Sequence, residues 1–280
     1  MTDQFDLLQH HLHELIYEFQ VADIQLVLGG GFGLYLKRRH VLASGARTLL
    51  SALPDARSTN DLDLILQTEV LADAAKAGLV VAILARLGYE PEPAARYFQF
   101  SRALPGLDRR VKVDLLTGPL HGATAGLRVD KVRVKASGKV PLHARLAADA
   151  IGLGTLTTVP VASRQPGTLF LPHPFTYTLM KIHAFADRQS DGDQDFGRHH
   201  ALDLYALVAM MTENEWDEAR TMRRQHAAEA PVVRAAELVA DLFADRTSAG
   251  TLRLREHPQG RQLDPGDLAT FLELLRELWA

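Results

Sequence analysis

Arg57-Ser58-Thr59-Asn60-Asp61-Leu62-Asp63-Leu64-Ile65-Leu66 sets two carboxylates two residues apart inside an apolar, β-like run. In a strand alternate side chains share a face, so Asp61 and Asp63 point one way while Leu62, Leu64 and Leu66 point into the core. Two parallel carboxylates repel unless a divalent cation sits between them. Upstream, Leu28-Gly29-Gly30-Gly31-Phe32-Gly33 separates the apolar run 24–28 from a helical-looking stretch. Gly30 and Gly31 would let backbone amides approach a phosphate at the mouth of that helix, where free N–H groups and the helix dipole favour anions. Position 34 is Leu, which excludes a dinucleotide fingerprint, and the run lacks the Gly-Lys-Ser/Thr ending of a P-loop. Together the two stretches suggest a phosphate cradle beside a metal site. Taken singly they are a tight turn and a surface acid pair.

A third acid, Asp114, lies in Arg110-Val111-Lys112-Val113-Asp114-Leu115-Leu116. Alternation there places Val111, Val113 and Leu115 on one side and Lys112 and Asp114 on the other, as a half-buried strand requires. Glycines, Asp-x-Asp and a later strand-borne acid, in this order, resemble the polymerase-β-like nucleotidyltransferase superfamily. Within it, Val27-Leu28-Gly29-Gly30-Gly31-Phe32-Gly33-Leu34 followed by Arg57-x-Thr59-x-Asp61-Leu62-Asp63 looks most like the AbiEii-type nucleotidyltransferases, a group that includes type IV toxins. The resemblance implies an α/β (α+β) nucleotidyltransferase fold, a mixed sheet with helices, followed by an all-helical carboxy-terminal lobe. It also implies Asp61, Asp63 and Asp114 as Mg²⁺ ligands, with Asp114 orienting or deprotonating the attacking hydroxyl, and Gly30, Gly31 and Thr59 at the nucleotide.

Composition narrows the alternatives. At 280 residues, with 47% hydrophobic and 23% charged residues, the chain can bury a substantial core as one large domain or two lobes. The absence of cysteine excludes disulfides, thiolate metal sites and cysteine nucleophiles. The amino-terminal residues 1–18 lack a signal-peptide core and no long apolar run occurs, so no membrane partner and a cytoplasmic location are expected. A formal net charge of −3 argues against a whole-surface nucleic-acid binder. It leaves room for a local basic site at 127–139, where Arg128, Lys131, Arg133, Lys135 and Lys139 face only Asp130. As one strand this segment would line Lys131, Arg133 and Lys135 on one face with Val132 and Val134 opposite, either a solvated outer face or a surface for a phosphate-rich substrate such as RNA.

Along the chain, periodicity predicts a helix over 5–19, a strand over 24–28, helical stretches from 34 to about 53 with a break near Ser44-Gly45, and a strand over 61–66. A helix over 70–87, ended by Gly88, precedes strands at 97–102 and 109–116 joined by a Pro105-Gly106 turn. Extended stretches follow at 127–135, 156–162 and 168–171. From Pro172-His173-Pro174 onward the pattern is helical, at 175–188, 198–212, 214–227, 230–244 and 266–279. The expected division is a catalytic domain over 1–171 and a helical domain over 172–280.

The helical part adds Lys181-Ile182-His183-Ala184-Phe185-Ala186-Asp187-Arg188 and His199-His200-Ala201-Leu202-Asp203-Leu204-Tyr205. Helical spacing puts Lys181, Ala184, Phe185 and Arg188 on one face. The AbiEii resemblance assigns a nucleotide-contacting role to Lys181, with Arg188 beside it, and a further essential acid to Asp203. On spacing alone, a Lys–Asp contact joining two helices is the preferred reading. The family often shows Arg-Asp before Asp-Leu-Tyr, where this chain has His199-His200. His10, His11 and His13 lie on a polar helix face without a partner acid at fixed spacing. Asp191-Gly192-Asp193-Gln194-Asp195 imitates a calcium loop but has Phe196 where the loop needs Gly and Leu202 where it needs Glu, which suggests a mobile acidic linker. No Gly-x-Ser-x-Gly elbow is present.

The expected activity is Mg²⁺-dependent transfer of a nucleoside monophosphate from an NTP such as ATP to an acceptor hydroxyl. If the chain is a toxin, the acceptor is a tRNA 3′ end and an antitoxin protein is the partner. Modification of a small molecule such as an aminoglycoside, and a catalytically silent nucleotide-binding module, are the alternatives.

Overall fold

The computed structural model describes residues 4–55, 61–104, 110–161 and 167–280. Helix α1 (Gln4–Val21) leads to β1 (Val27–Leu28), α2 (Gly30–Ser44), β2 (Asp61–Leu66), α3 (Thr68–Ala72) and α4 (Ala74–Arg86). Strands β3 (Glu90–Pro91), β4 (Gln99–Ala103), β5 (Arg110–Thr117), β6 (Val129–Asp130), β7 (Arg133–Lys135), β8 (His143–Leu146), β9 (Leu156–Val161) and β10 (Gly167–Pro172) follow. The remainder is helical: α5 (Pro174–Arg188), α6 (Arg198–Ala209), α7 (Glu213–Gln225), α8 (Ala230–Leu242), α9 (Ala249–Glu256) and α10 (Pro265–Trp279). The expected class, a mixed sheet with helices followed by a helical region, is therefore the observed one. No described helix is long and apolar enough to cross a membrane.

The chain forms two compact units. The first comprises Met1–Gly33, Ser58–Ala148 and Thr158–Leu171; the second comprises Leu34–Arg57, Asp149–Thr157 and Pro172–Ala280. The change of pattern at residue 172 is thus one of several places where the chain passes from one unit to the other.

In the first unit the sheet runs β6-β7-β8-β5-β2-β1-β10-β9, with β4 on the β8 side of β5 and β3 beyond it. It is mixed: β2 is parallel to β5 and antiparallel to β1, while β1 is parallel to β10. Leu62, Leu64 and Leu66 of β2 and Val111, Val113 and Leu115 of β5 are buried on one face. Leu12, Leu15 and Phe19 of α1, spaced three and four apart, are buried too, as are Val80 and Leu84 of α4.

In the second unit Phe175, Leu179, Ile182 and Phe185 of α5 share a core with Leu204 and Val208 of α6, Leu238 of α8, and Phe271 and Leu275 of α10. The chain after Gly45 is not helical, a departure from the expected stretch to 53. Instead Leu49 and Leu50 donate their backbone N–H groups to the carbonyls of Met211 and Ala209, at 2.8 and 3.3 Å. They thereby satisfy acceptors that the end of α6 leaves without intrahelical donors.

Three other expectations are corrected. The single helix 70–87 is two, because the Asp73 carboxylate accepts from the N–H of Ala75 and Lys76 and starts α4 afresh. The basic segment 127–135 is a hairpin rather than one strand: Lys131 turns at φ +58°, and Val132 beside it is 56% exposed. The acidic run at 191–195 forms part of a 3₁₀ turn in which the Asp191 side chain caps Asp193. Sequence reading missed β8 and α9. The first is only four residues long, and the second has at its second position Gly250, a weak helix former packed against the Phe243 ring. The expected Pro105-Gly106 turn lies outside the described residues.

Candidate active site

The geometry of the acids follows from strand register. In the parallel β2–β5 ladder Asp63 is the partner of Asp114 and Asp61 is the partner of Lys112. Partners in a ladder share a face and lie about 4.8 Å apart across it. Asp61, Asp63 and Asp114 therefore stand on one face of neighbouring strands, opposite the buried leucines and valines, and all three are partly buried.

Gly30 closes one side of this group. It begins α2 with φ +63°, a left-handed conformation that glycine adopts without strain. A Cβ at Gly30 would fall 1.7 Å from Oδ2 of Asp63, so only a residue without a side chain fits between helix start and carboxylate. The neighbouring Gly29 donates its N–H to the Asp63 carbonyl at 2.8 Å and accepts from Gly33 N–H, at 3.2 Å, as α2 begins. The glycine turn and the acid pair, separate in sequence, are thus one local structure.

Asp114 is the strained member. Burial first, then the charge of Asp63 and more weakly that of Asp61, push its carboxyl up to about 6, while a hydrogen bond from Gln99 and the charge of Arg145 act in the opposite direction. Its Oδ1 is buried and accepts no hydrogen bond. Gln99 sits opposite Asp114 in the antiparallel β4–β5 ladder. Neither Gln99 nor Arg145 was singled out from sequence, because only strand pairing brings them to the acid.

An oxygen-only set of this kind suits a hard cation such as Mg²⁺. Among the described residues no three His, Asp or Glu side chains are gathered closely enough to hold an ion by themselves. Mg²⁺ commonly uses one or two carboxylates and completes its shell with water and substrate phosphate. The orphaned, buried oxygen of Asp114 and the mutual repulsion of the acids fit that second kind of site.

The residues expected from the helical part lie in the second unit and are engaged there. Lys181 Nζ donates to Asp203 Oδ2 at 2.6 Å, with the two residues 6% and 4% exposed. This is the contact between α5 and α6 that spacing alone favours. Arg188 donates to the carbonyl of Ala184 one turn back, at 3.3 Å, and Phe185, on the same helical face as Lys181, is core. His199 lies 3.6 Å from the Asp195 carboxylate and edge-on to His257. His11 is buried beside Glu14 and Arg102. Thr59 lies outside the described residues.

No family model matches the chain, and no curated protein sequence does. Among solved structures, an antigenic nucleotidyltransferase-like protein from Paracoccidioides brasiliensis is similar at 16% identity and a TM-score of 0.49, over 87% of this chain and 91% of that one. The antibiotic-resistance factor ANT(2'')-Ia is similar at 14% identity and a TM-score of 0.40, over 79% of this chain and 94% of that one. Likenesses at these scores carry no weight for activity.

Proposed function

We propose that the chain is a nucleotidyltransferase that moves a nucleoside monophosphate from an NTP to an acceptor hydroxyl, with pyrophosphate as the leaving group. The observation that carries this reading is the side-by-side placement of Asp63 and Asp114, with Gly30 abutting the Asp63 carboxylate at the start of α2. Asp61 and Asp63 are assigned to Mg²⁺, and Asp114 to Mg²⁺ and the acceptor hydroxyl. The bound ion would neutralise phosphate charge as it develops. Gly30 and Gly31 offer the amino-terminal end of α2 to the triphosphate, where backbone N–H groups and the helix dipole favour anions. Asp114 is suited to receive a proton from the acceptor, because its carboxylate stands beside Asp63 with a buried oxygen that accepts no hydrogen bond. Phosphoryl transfer of this type depends chiefly on positioning and charge neutralisation, which is what a fixed sheet face provides.

A tRNA 3′ end as acceptor, and an antitoxin as protein partner, come from the AbiEii resemblance. An aminoglycoside-like acceptor is the second reading. It is disfavoured by Arg133, Lys135 and Arg145, which flank the acids on β7 and β8 and would repel a polycation. Lys181, Arg188 and Asp203 are left a structural role. The test is incubation with each α-labelled NTP, Mg²⁺ and total RNA. Label should pass to RNA with the wild-type chain and not with Asp63→Asn, which removes ligand charge at constant volume. Equal labelling by a folded Asp63→Asn protein would refute the assignment.

A further inference from the structure

The face that carries the acids continues outward. Arg145 of β8 is the register partner of Leu116, two residues beyond Asp114 on the same side of β5, and Arg145 in turn pairs with Arg133 of β7. His143 pairs with Lys135 one step along. The intervening Val134 and Ala144 are fully buried on the opposite face, so alternation places all four polar side chains on the side of Asp61, Asp63 and Asp114. The charges are close enough to be felt. Arg145 acts on Asp114, and Lys135 and Arg133 add to burial in lowering the His143 imidazole.

An aromatic pair borders these cations. The rings of Tyr97 and His143 lie 4.6 Å apart, tilted by 37°, and the Arg96 guanidinium lies 4.6 Å from the centre of the Tyr97 ring. Asp130 takes part of the charge through an ion pair with Lys135 at 3.3 Å. Arg96, Arg133 and Arg145 add three more cations to this region. Cations beside partly exposed rings are what a flexible polyanion with planar groups requires: phosphates meet guanidinium and ammonium groups while unpaired bases stack on the rings. A duplex offers no free base to stack.

We infer that this face is the track of a single-stranded polynucleotide, with Arg133, Lys135 and Arg145 on its phosphates and the Tyr97–His143 pair under a base. The inference deepens the nucleotidyltransferase reading and rests on it for the claim that the bound strand is the acceptor; the binding itself needs neither metal nor NTP.

The test is fluorescence anisotropy of a short labelled oligoribonucleotide with the full chain, without Mg²⁺ or NTP. With about −0.7 in log affinity per log salt for each phosphate neutralised on a single strand, three contacts give a slope near −2. Arg133→Ala with Arg145→Ala should weaken binding by about tenfold or more and flatten that slope to roughly −0.7. Arg145→Glu, at an exposed position, should weaken it on its own. Tyr97→Leu should lower affinity by about fivefold or more with the slope retained, as loss of a stacking partner does. Circular-dichroism melts identify folded variants, and the deoxyribonucleotide strand distinguishes RNA from DNA as the source. Asp63→Asn should lose nucleotide transfer while keeping oligonucleotide affinity, which separates failure of the acid site from failure of the track. Absence of salt-dependent binding, undiminished affinity in the folded arginine and tyrosine variants, or equal binding of a blunt duplex would overturn the inference.

Discussion

Gly30 and Asp114 carry the heaviest constraints at the scale of single residues. Gly30→Ala would set a Cβ on the Asp63 carboxylate and force a left-handed backbone on an L residue; the backbone alone costs roughly 1–2 kcal/mol. We expect a lower melting temperature together with weakened Mg²⁺-dependent NTP binding. A melt and a titration like the wild type's would show that the turn is not needed. For Asp114, a free aspartate ionises near 3.8, whereas here burial and Asp63 raise the carboxyl to about 6. The folded chain therefore holds this proton more tightly than the unfolded one. Through this group stability declines as pH rises from about 4 to 6, and the cost persists above that range. Asp114→Asn should accordingly stabilise the protein at pH 7–8, by about 1–2 kcal/mol once partial exposure is allowed for, while abolishing transfer. In the metal-free wild type the Asp114 carboxyl should titrate near 6, and added Mg²⁺ should move that titration to lower pH, because a bound cation favours the ionised form. Destabilisation by Asp114→Asn, or a titration that Mg²⁺ leaves unmoved, would contradict this account. The acids were legible in sequence because alternation puts Asp61 and Asp63 on one face and the superfamily resemblance points to Asp114 as the third. The strain on Asp114 was not, since the burial and the nearness of Asp63 that cause it, like the partial relief from Gln99 and Arg145, arise only through strand pairing.

Among the elements, α5 and α6 show where spacing and resemblance part company. Spacing places Lys181 and Asp203 in reach of each other, and in the structure they form a buried ion pair. Breaking one partner of such a pair strands a charge, at about 3–5 kcal/mol, whereas replacing both with apolar groups is often neutral or stabilising. Lys181→Met and Asp203→Leu should each lower the melting temperature sharply, and the double variant should recover most of the loss. NTP affinity and single-turnover transfer in the folded fraction should stay near normal. Loss of nucleotide affinity in a stable double variant would instead give Lys181 the nucleotide contact that the resemblance assigns. Helices were read well wherever the apolar period was long, as in α5, α7 and α10. Local chemistry decided the rest: an Asp73 cap split one helix in two, and the turn at Lys131 folded an expected strand into a hairpin. Both are short-range events that a periodic pattern averages away.

Taken as a whole, the chain builds its first unit from three segments and its second from three. The Pro172-His173-Pro174 boundary marks only the last passage between them. Segment 34–57 resembles its neighbours in composition, and nothing local announces that Leu49 and Leu50 will close the end of α6. The sheet order was equally hidden, because β8 is short and its pairing with β5 joins residues far apart in sequence. While the mixed sheet was expected from the resemblance, what periodicity and alternation did reveal is the individual strands, the helical remainder and the shared face of Asp61 and Asp63 on which the functional reading depends. Its central claim is that a divalent cation and an NTP meet at Asp61, Asp63 and Asp114 beside Gly30. The most direct measurement is the anomalous signal of Mn²⁺ in crystals grown with a non-hydrolysable NTP. Density on the carboxylates of Asp61 and Asp63, with the triphosphate against the start of α2, is the expected result. Nucleotide bound elsewhere, or bound with no metal at these acids, would contradict it.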